Sequence, residues 1–430
     1  MGDGNAEKFG NVQRVLIFGW GKTGNSLAGL LLKLGKEVMV TETCSEDKFE
    51  HDSIEYFTQH GVLFEFGGHT REFCLNSGVD LIVVSPGIDI SCGDVFEILN
   101  KSDKPCIGEI EFCYNLTDAD IIAVTGTNGK TTVTTLIYEV FNRYYKDGDV
   151  YVGGNIGVPF SEFVLNTKKG DVVVLEISSF QLETIVSFKP KVAVLTNLQP
   201  DHLDRYKTCD EYYEAKMNIF SYQEHQDYAV LPCGGLSEKV SKQLKPKVLC
   251  FDTIKGNNNF ECLCVVSQIY NITREECLSV FEGFNGIEHR MEFVRSVRGV
   301  FFINDSKATN VSATVWGLSA LASDRRYKDS RVILIAGGKD KGTGYNDVLD
   351  LLSKVKKINL IGQASEKIKI CCHPYVACQI HQTFAEAVLQ SFQDAQPNDI
   401  VLLSPMCSSF DMFSNYQERG NVYKSIVARL

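Results

Sequence analysis

The chain has 430 residues, of which 44% are hydrophobic, and its 43 Lys and Arg against 54 Asp and Glu give a formal net charge of −11. This length corresponds to about three domains at roughly 150 residues each, and the composition excludes disorder and collagen-like structure. The acidic balance argues against general binding to nucleic acid or to anionic membranes. We therefore expect a multidomain globular protein.

The sequence shows neither a membrane anchor nor a zinc-binding pattern. No apolar run reaches the ~18 residues that a spanning helix needs, and the N-terminus lacks the basic start and apolar core of a signal peptide. The fifteen cysteines include no C-x-x-C pair, the spacing that zinc sites usually show. We expect a cytoplasmic protein with reduced, buried thiols and with neither nucleic acid nor membrane as a partner.

A glycine-rich turn opens the first predicted α/β unit. The apolar strand Val15–Phe18 leads into Gly19-Trp20-Gly21-Lys22-Thr23-Gly24, the helix 25–34 follows, and Glu42 comes after the second strand, 37–40. Backbone N–H groups at the start of a helix hold a pyrophosphate, and an acid after the second strand is where a ribose-binding carboxylate belongs. The motif fits NAD or a nucleotide-diphosphate sugar equally well, and a tight turn without a ligand remains a third interpretation.

A second glycine-rich loop follows the strand Ile121–Val124. It reads Gly126-Thr127-Asn128-Gly129-Lys130-Thr131, and Val124 stands where the standard phosphate-binding loop has its first glycine. Backbone amides of such a loop cradle phosphates, Lys130 can reach the β- and γ-phosphates, and the Thr131 hydroxyl can ligate Mg²⁺. The sequence therefore predicts a variant nucleotide-binding loop.

Polar residues follow two further predicted strands of the same unit. Glu176 follows the strand Asp171–Leu175, and His202 lies beyond the strand Val192–Thr196. The carboxyl ends of parallel strands meet at one edge of a sheet, where ligands gather. We expect Glu176 to be a second metal ligand, and His202 to belong to the same site rather than to the general surface.

A third unit begins near residues 286–290. Its predicted strands are Val300–Ile303, Val332–Ala336, Ile358–Ile361 and Ile400–Leu403. The turns that follow three of them carry Lys307, Lys341 and Ser409. Lysine and hydroxyl groups at such turns can bind an anionic ligand, although they could also be solvated surface. Strands alternating with helical segments predict parallel βαβ topology throughout.

Taken together and in this order, these blocks resemble the Mur ligases, the ATP-dependent amide-forming enzymes of bacterial cell-wall synthesis. The resemblance covers nearly the whole chain, and its C-terminal blocks are most similar to those of the D-glutamate-adding members. Besides the 126–131 loop, the matching blocks are Gly153–Gly157, Glu176–Glu183, Asp201–Tyr206, Asn304–Asn310, Leu403–Phe413 and Arg419-Gly420.

The resemblance implies an α/β fold of three domains. They are a Rossmann-like domain for the UDP moiety (1–107), a central P-loop ATPase-like domain with a parallel sheet (108–287), and a Rossmann-like domain for the amino acid (288–430). It also implies an ATP-dependent ligase that adds D-glutamate to UDP-N-acetylmuramoyl-L-alanine through an acyl phosphate in peptidoglycan synthesis, a process needed for cell shape and division. The implied protein is a cytoplasmic monomer.

The resemblance further assigns the ligands to residues of this chain. The UDP substrate is assigned Gly21, Lys22, Thr23, Thr43, Gly87, Asn155, Ser178 and Gln181. ATP is assigned Gly126, Thr127, Asn128, Gly129, Lys130, Thr131, Thr132, Asn259, Arg290 and Asp305. D-Glutamate is assigned Lys307, Thr309, Lys341, Ser409, Phe410 and Tyr416. Two departures from the family pattern are the Asn258–Cys262 segment, where only Asn259 matches, and Tyr416, which replaces a usual phenylalanine.

The implied catalytic residues are Lys130, Glu176, His202 and Lys216. Thr131 and Glu176 would hold one Mg²⁺, whereas His202 and Lys216 would hold a second, Lys216 as a carbamate formed with CO₂. An unmodified ammonium beside Mg²⁺ would be repelled, which favours the carbamate, and the 209–221 pattern around Lys216 predicts a helix. The alternatives are a folylpolyglutamate-synthetase-type ligase, an NAD-dependent oxidoreductase and a non-catalytic nucleotide switch.

Overall fold

The computed structural model describes residues 11–75, 78–235, 240, 243–253, 257–284, 286–342 and 344–430. Its described residues form two compact units: unit 1 comprises Met1–Leu198 and Asp210–Phe284, and unit 2 comprises Gln199–Cys209 and Asn285–Leu430. Three sheets form the scaffold, two in unit 1 and one in unit 2. The first ten residues, where a signal peptide would lie, are outside the described ranges.

The first sheet of unit 1 is parallel, with strand order β3-β2-β1-β4-β5. The strand order reverses next to β1, so the crevice at the carboxyl end of β1 is the expected ligand site. The strands are β1 (Arg14–Phe18), β2 (Glu37–Glu42), β3 (Leu63–Phe66), β4 (Leu81–Val84) and β5 (Cys106–Gly108). The helices are α1 (Lys22–Lys33), α2 (His51–Gln59), α3 (Arg71–Leu75) and α4 (Gly93–Lys101).

The second sheet of unit 1 is also parallel and has the order β11-β10-β9-β6-β8-β7. Its strands are β6 (Asp120–Thr125), β7 (Val150–Gly154), β8 (Val172–Glu176), β9 (Val192–Leu195), β10 (Tyr228–Pro232) and β11 (Lys247–Phe251). The helices are α5 (Glu109–Tyr114), which precedes β6, α6 (Lys130–Tyr144), α7 (Phe160–Phe163), α8 (Ser179–Leu182), α9 (Cys209–Met217), α10 (Asn258–Ile269) and α11 (Arg274–Gly283). One continuous apolar cluster joins both sheets, since it includes Ile17 of β1, Ile110 of α5, Phe160 of α7 and Val173 of β8.

The sheet of unit 2 is mixed, with the order β12-β13-β17-β14-β15-β16. Its strands are β12 (Glu292–Val297), β13 (Val300–Asn304), β14 (Val332–Gly337), β15 (Val355–Ile361), β16 (Ala377–Ile380) and β17 (Ile400–Leu403). The helices are α12 (Val311–Ser323), α13 (Ser365–Cys372), α14 (Phe384–Asp394) and α15 (Tyr416–Val427). The edge strand β12 runs antiparallel to β13, while the other pairs are parallel.

The structure confirms the predicted α/β class and all nine strands predicted above, with shifts of up to three residues at their ends. Three predictions need correction. The topology is not wholly parallel, because a tight turn at Arg298-Gly299 reverses the chain so that β13 runs antiparallel to β12. The predicted 209–221 helix is α-helical only to Met217, and Asn218–Phe220 forms a 3₁₀ turn. Four of the free thiols, Cys44, Cys92, Cys233 and Cys250, are exposed rather than buried.

The boundaries at 107/108 and 287/288 stay predictions, because the described residues form two compact units rather than three. The sequence analysis did not identify several edge or half-polar strands, including β3, whose residues are only partly buried. Alternation is weak in such strands, so the sequence signal is weak as well. Among the described residues, no helix is both long and apolar enough to cross a membrane.

Candidate functional site

A cavity of about 510 Å³ lies at the carboxyl ends of β1 and β4, where the strand order of the first sheet reverses. Seven of the eight residues predicted for the UDP substrate line it: Gly21, Lys22, Thr23, Thr43, Gly87, Asn155 and Gln181. The eighth, Ser178, is not among the lining residues and instead caps α8 by bonding with Gln181. The first sheet contributes the glycine turn, and the second sheet contributes the β7–α7 loop.

Close packing imposes glycine on the first turn. A Cβ on Gly24 would lie 2.0 Å from the Gly19 carbonyl oxygen, and Gly19 itself has a φ of +95°. Neither position accepts a side chain without moving the backbone. The turn therefore brings backbone amides to the cavity, as the motif predicts.

Glu42 lines this cavity, and its carboxylate is held by the backbone of the glycine turn. Its side chain is 7% exposed, and its carboxylate accepts the backbone N–H of Trp20 at 2.7 Å and that of Cys44 at 2.9 Å. Burial opposes ionisation, but these backbone hydrogen bonds outweigh it and lower the pKa of Glu42. Both carboxylate oxygens are engaged by the chain itself, which weakens the main argument for a dinucleotide.

The second glycine-rich loop, 126–131, is held by the end of the neighbouring strand β9. The side chain of Asn197 accepts a hydrogen bond from the Asn128 backbone N–H at Oδ1 (2.9 Å) and donates one from Nδ2 to the Asn128 carbonyl (2.8 Å). Gly126 has a φ of +143°, and a Cβ there would lie 2.0 Å from the Thr196 hydroxyl. The loop is thus shaped by residues about 70 positions later, and Asn197 is a structural determinant that the sequence analysis missed.

Lys130 and Thr131 start helix α6 directly after this loop. The Lys130 ammonium lies 2.9 Å from the Gly126 carbonyl and 3.0 Å from that of Thr127. The Thr131 side chain is buried at the N-terminus of α6. The Asn259 amide oxygen approaches the loop, because it would lie 3.1 Å from a Cβ atom placed on Gly129. A positive helix terminus, an ammonium and a hydroxyl therefore converge, as a polyphosphate and its metal require.

Glu176 ends β8 next to this loop and has one unsatisfied oxygen. Its side chain is 2% exposed, and Oε1 accepts a hydrogen bond from Asn155 Nδ2 at 2.8 Å. Oε2 is buried and has no hydrogen-bond partner among the residues that the structure describes. An ionised oxygen left unpaired in the interior is costly unless a cation compensates it. The predicted metal-ligand role fits this observation.

Lys216 is buried in unit 1, and Tyr212 links it to the second glycine-rich loop, 126–131. The lysine is 2% exposed, and its Nζ lies 4.6 Å from the centroid of the Tyr212 ring. The Tyr212 hydroxyl donates to the Thr127 hydroxyl oxygen at 3.3 Å. Lys216 is therefore not a surface lysine, and lysine is rarely fully buried unless its charge is used or neutralised.

His202 belongs to unit 2, next to an acid that the sequence analysis did not select. Asp201 is buried and pairs with the Lys341 ammonium at 2.9 Å, and it also accepts the Asn310 amide at 2.8 Å. Burial opposes its ionisation, but the positive charge of Lys341 outweighs this and holds the pKa of Asp201 well below its usual range. His202 has a φ of +56°, a strained conformation for a non-glycine residue that functional sites often tolerate.

The predicted metal ligands are thus divided between the two units. Thr131, Glu176 and Lys216 lie in unit 1, whereas His202 lies in unit 2. The signal that could have identified Asp201 is its position directly before His202, in a loop after a buried strand. The two predicted Mg²⁺ sites, Thr131 with Glu176 and His202 with Lys216, stay predictions.

The residues predicted for the amino acid gather on three turns of unit 2 that follow adjacent strands. Lys307 and Thr309 follow β13, Lys341 follows β14, and Ser409 follows β17. The Lys307 ammonium lies 5.2 Å from the Tyr416 ring centroid at the start of α15. Ser409 is buried, whereas Phe410 is 68% exposed.

A buried arginine links two of these turns. The Arg419 guanidinium donates to the Ser306 carbonyl at 2.7 Å, to the Ser306 hydroxyl at 3.0 Å and to the Cys407 carbonyl at 3.2 Å. Burial lowers the pKa of Arg419 to about 10, which still leaves it charged at neutral pH. The sequence analysis recognised Arg419 only as part of a block, and two of its three hydrogen bonds go to Ser306, 113 positions earlier.

Arg290 and Asp305, both predicted to contact ATP, are neighbours in unit 2. Asp305 is 4% exposed and accepts the Ser404 hydroxyl at 2.9 Å and the Met291 N–H at 3.3 Å. Burial raises the pKa of Asp305 to about 7. Within the described part of the chain, the buried Nε atom of Arg290 has no hydrogen-bond partner, so this guanidinium can still bind an anionic or polar ligand.

Family profiles match the two C-terminal thirds of the chain. The profile described as the Mur ligase middle domain matches residues 124–304, and the one described as the Mur ligase glutamate ligase domain matches residues 289–407. These ranges contain the 126–131 loop, Glu176, the His202 loop and the turns after β13 and β14, whereas Ser409, Phe410 and Tyr416 lie beyond residue 407. The two ranges leave the first sheet unassigned.

Whole-length relatives extend the similarity to the first sheet. The chain is 36% identical to the UDP-N-acetylmuramoylalanine--D-glutamate ligase of Thermoanaerobacter pseudethanolicus, covering 97% of this chain and 98% of that protein. The protein of the same name from Clostridioides difficile is 34% identical, covering 97% and 99%.

Solved structures show the same fold at low sequence identity. The MurF ligase of Thermotoga maritima, in complex with ADP, has a TM-score of 0.62 at 14% identity, covering 91% of this chain and 96% of that one. The UDP-N-acetylmuramate-alanine ligase MurC of the same organism has a TM-score of 0.60 at 15% identity, covering 97% and 99%. The chain covers 97% of its length in the alignments with the two relatives above, at 36% and 34% identity, and both family profiles are those of Mur ligases. The chain therefore belongs to the Mur ligase family.

Proposed function

We propose that this chain is an ATP-dependent ligase that joins D-glutamate to UDP-N-acetylmuramoyl-L-alanine in peptidoglycan synthesis. The observation that carries the proposal is the position of Asn155. This residue lines the cavity of the first sheet and also donates a hydrogen bond to Glu176 beside the phosphate loop. A substrate anchored in the cavity by its diphosphate would therefore extend toward the groups suited to phosphoryl transfer. The shared name of the whole-length relatives supports the choice of substrates.

The domain roles follow from the same residues. Residues 1–107 would hold the UDP moiety, 108–287 would hold ATP, and 288–430 would hold D-glutamate. The turns after β13, β14 and β17 carry three cationic or hydroxyl groups suited to a dicarboxylate: Lys307, Lys341 and Ser409. We further propose that the enzyme works as a monomer in the cytoplasm, where ATP and the nucleotide-linked substrate are made.

The chemistry requires an activated carboxylate. An oxide is a poor leaving group, so an amine cannot displace it at neutral pH, whereas phosphate leaves readily from an acyl phosphate. Lys130 would neutralise charge on the γ-phosphoryl group as it moves to the carboxylate of the alanyl group. The amine of D-glutamate, held by unit 2, would then attack the acyl carbon and release phosphate. Exclusion of water from the acyl phosphate is the role expected of domain closure.

Magnesium fits the unit 1 residues by the chemistry of their donors. The Thr131 hydroxyl and the unpaired Glu176 Oε2 are hard oxygen ligands of the kind that Mg²⁺ prefers. A bound Mg²⁺ would supply charge neutralisation on the phosphates. We propose a second Mg²⁺ at His202 and Lys216.

Lys216 would serve as a ligand only after modification. Its neutral amine would add to CO₂ and lose a proton, which gives a carbamate with one negative charge in place of the ammonium. This exchange turns a buried cation into an oxygen ligand, which a neighbouring Mg²⁺ would favour. The burial of Lys216 beside Tyr212 would shield the carbamate from the protonation that releases CO₂.

The decisive test of the function is phosphate release from ATP. We expect release to require both UDP-N-acetylmuramoyl-L-alanine and D-glutamate, and to be negligible with L-glutamate or with either substrate alone. Release with a folate acceptor and glutamate would favour the folylpolyglutamate-type alternative. An absorbance change of NADH, without ATP turnover, would contradict the proposal in favour of an oxidoreductase.

A substitution at Lys341 tests the amino-acid site. We expect Lys341→Ala to raise the KM for D-glutamate by ~10-fold or more and the KM for ATP by less than about twofold, because a charge-assisted hydrogen bond to a carboxylate contributes roughly 1.5–3 kcal/mol. The exposed Lys339, on the same turn, provides the matched control, and Lys339→Ala should change neither constant. Because Asp201 loses its partner in Lys341→Ala, thermal unfolding must be measured alongside. Equal increases in both KM values would assign Lys341 to the nucleotide site or to folding.

A further inference from the structure

The cavity of the first sheet is built from two elements that are far apart in sequence. The glycine turn before α1 forms one wall, and the loop through Gly157 and Pro159, which leads into α7, forms another. The Lys22 ammonium spans the two walls by donating to the Gly157 carbonyl at 2.5 Å. The shape of the cavity therefore depends on how α1 and α7 are held against each other.

A hydrogen-bonded chain joins α1, α7 and α5 behind the cavity. The hydroxyls of Ser26 on α1 and Ser161 on α7 are 2.8 Å apart. The Ser161 N–H donates to Glu109 Oε1 of α5 at 2.6 Å, and the Ser161 hydroxyl is also hydrogen-bonded to this carboxyl group. Ser161 therefore connects Glu109 of α5 to Ser26 of α1.

Glu109 carries a carboxyl group at a buried position, where acidic residues are rare. It is 3% exposed and Ser161 is 4% exposed. Burial raises the pKa of Glu109, and backbone N–H groups of Ser161 and Phe160 counteract the rise. Among the described residues no ion pair compensates the carboxyl group. A buried carboxyl with neutral partners costs stability relative to an apolar side chain, so fold stability alone does not account for it.

We propose that Glu109 is a positioning residue for the uridine-diphosphate substrate, acting through Ser161 and Ser26 to fix the spacing between the two walls of the cavity. This inference rests on the proposed function. Glu109 does not line the cavity, so it acts without touching the substrate. The walls it fixes carry Gly21 and Lys22 on one side and Gly157 and Pro159 on the other.

The proposal predicts a selective loss of affinity. In Glu109→Ala, Ser161 loses its acceptor and the α7 end of the cavity can shift, so we expect the Kd and the KM for UDP-N-acetylmuramoyl-L-alanine to rise by ~10-fold. The KM values for ATP and D-glutamate should stay within about twofold of wild type. Ser161→Ala should have the same selective effect. Glu109→Gln keeps an acceptor oxygen for the Ser161 N–H and should restore most of the affinity.

The experiment combines titration calorimetry of UDP-N-acetylmuramoyl-L-alanine, without ATP, with steady-state kinetics for all three substrates. Glu162→Gln, an exposed carboxylate next to Ser161, is the control and should behave as wild type. If Glu109→Ala fails to fold, Ser161→Ala carries the same test. A wild-type Kd in Ser161→Ala, or equal rises in all three KM values, would overturn the positioning role. Failure of the wild-type enzyme to bind the UDP substrate would instead overturn the proposed function and this inference with it.

Discussion

Replacing Lys216 by alanine is expected to lower the turnover number by ~10²- to 10³-fold while the protein stays folded. The size of the loss is that seen when a preorganised electrostatic group is removed from a transition state. Removal of a buried ammonium eliminates its desolvation cost, which offsets part of the cost of the cavity that the variant leaves. Phosphate release measures turnover, and thermal unfolding measures the fold.

Chemical rescue distinguishes a carbamate from a structural lysine. A small carboxylate such as acetate should partly restore turnover in Lys216→Ala, because it can occupy the vacated space and supply the missing oxygen ligand. Acetate should not restore a Lys130→Ala variant, in which the missing group is a cation. Removal of CO₂ should slow the wild-type enzyme but leave Lys216→Ala unaffected. A fully active Lys216→Ala enzyme that responds neither to acetate nor to CO₂ would refute the carbamate.

Replacing Glu176 by glutamine is the second substitution with a large expected effect. Glutamine has the same shape but no charge, so the buried Oε2 position loses its affinity for a cation. We expect turnover to fall by ~10²-fold or more and the Mg²⁺ concentration for half-maximal activity to rise. A Mg²⁺ titration of phosphate release measures both effects.

The control for this substitution is Glu139→Gln, because Glu139 lies exposed on α6 and its loss should leave the Mg²⁺ dependence unchanged. Binding of the UDP substrate without ATP should also be nearly unchanged in Glu176→Gln, although the Asn155 hydrogen bond loses its ionised acceptor. A normal Mg²⁺ titration in Glu176→Gln would exclude Glu176 as a metal ligand. It would also leave the unpaired oxygen without a functional explanation.

The two glycine-rich turns, the apolar strands and the order of the elements could be predicted from the sequence because they depend on local physics. Glycine is needed where φ is positive or where the backbone approaches closely, as at Gly24 and Gly126. Apolar runs predict strands buried on both faces, as at Val172–Glu176. The family resemblance, rather than these local rules, supplied the seven residues that line one cavity, which lies where the carboxyl ends of neighbouring strands meet at one edge of a sheet.

Only the tertiary structure decided which side chains engage one another. Glu42 stood where a ribose-binding acid belongs, yet its carboxylate accepts backbone N–H groups of the turn 22 positions earlier. Asp201 pairs with Lys341 across 140 positions, and Glu109 meets Ser161 across 52. No periodicity or spacing in the sequence encodes such contacts, because they arise when separate turns are brought together by sheet order and helix packing. The sequence by itself determined the fold class and the groups available for chemistry, whereas the packing of the sheets determined which of those groups became partners.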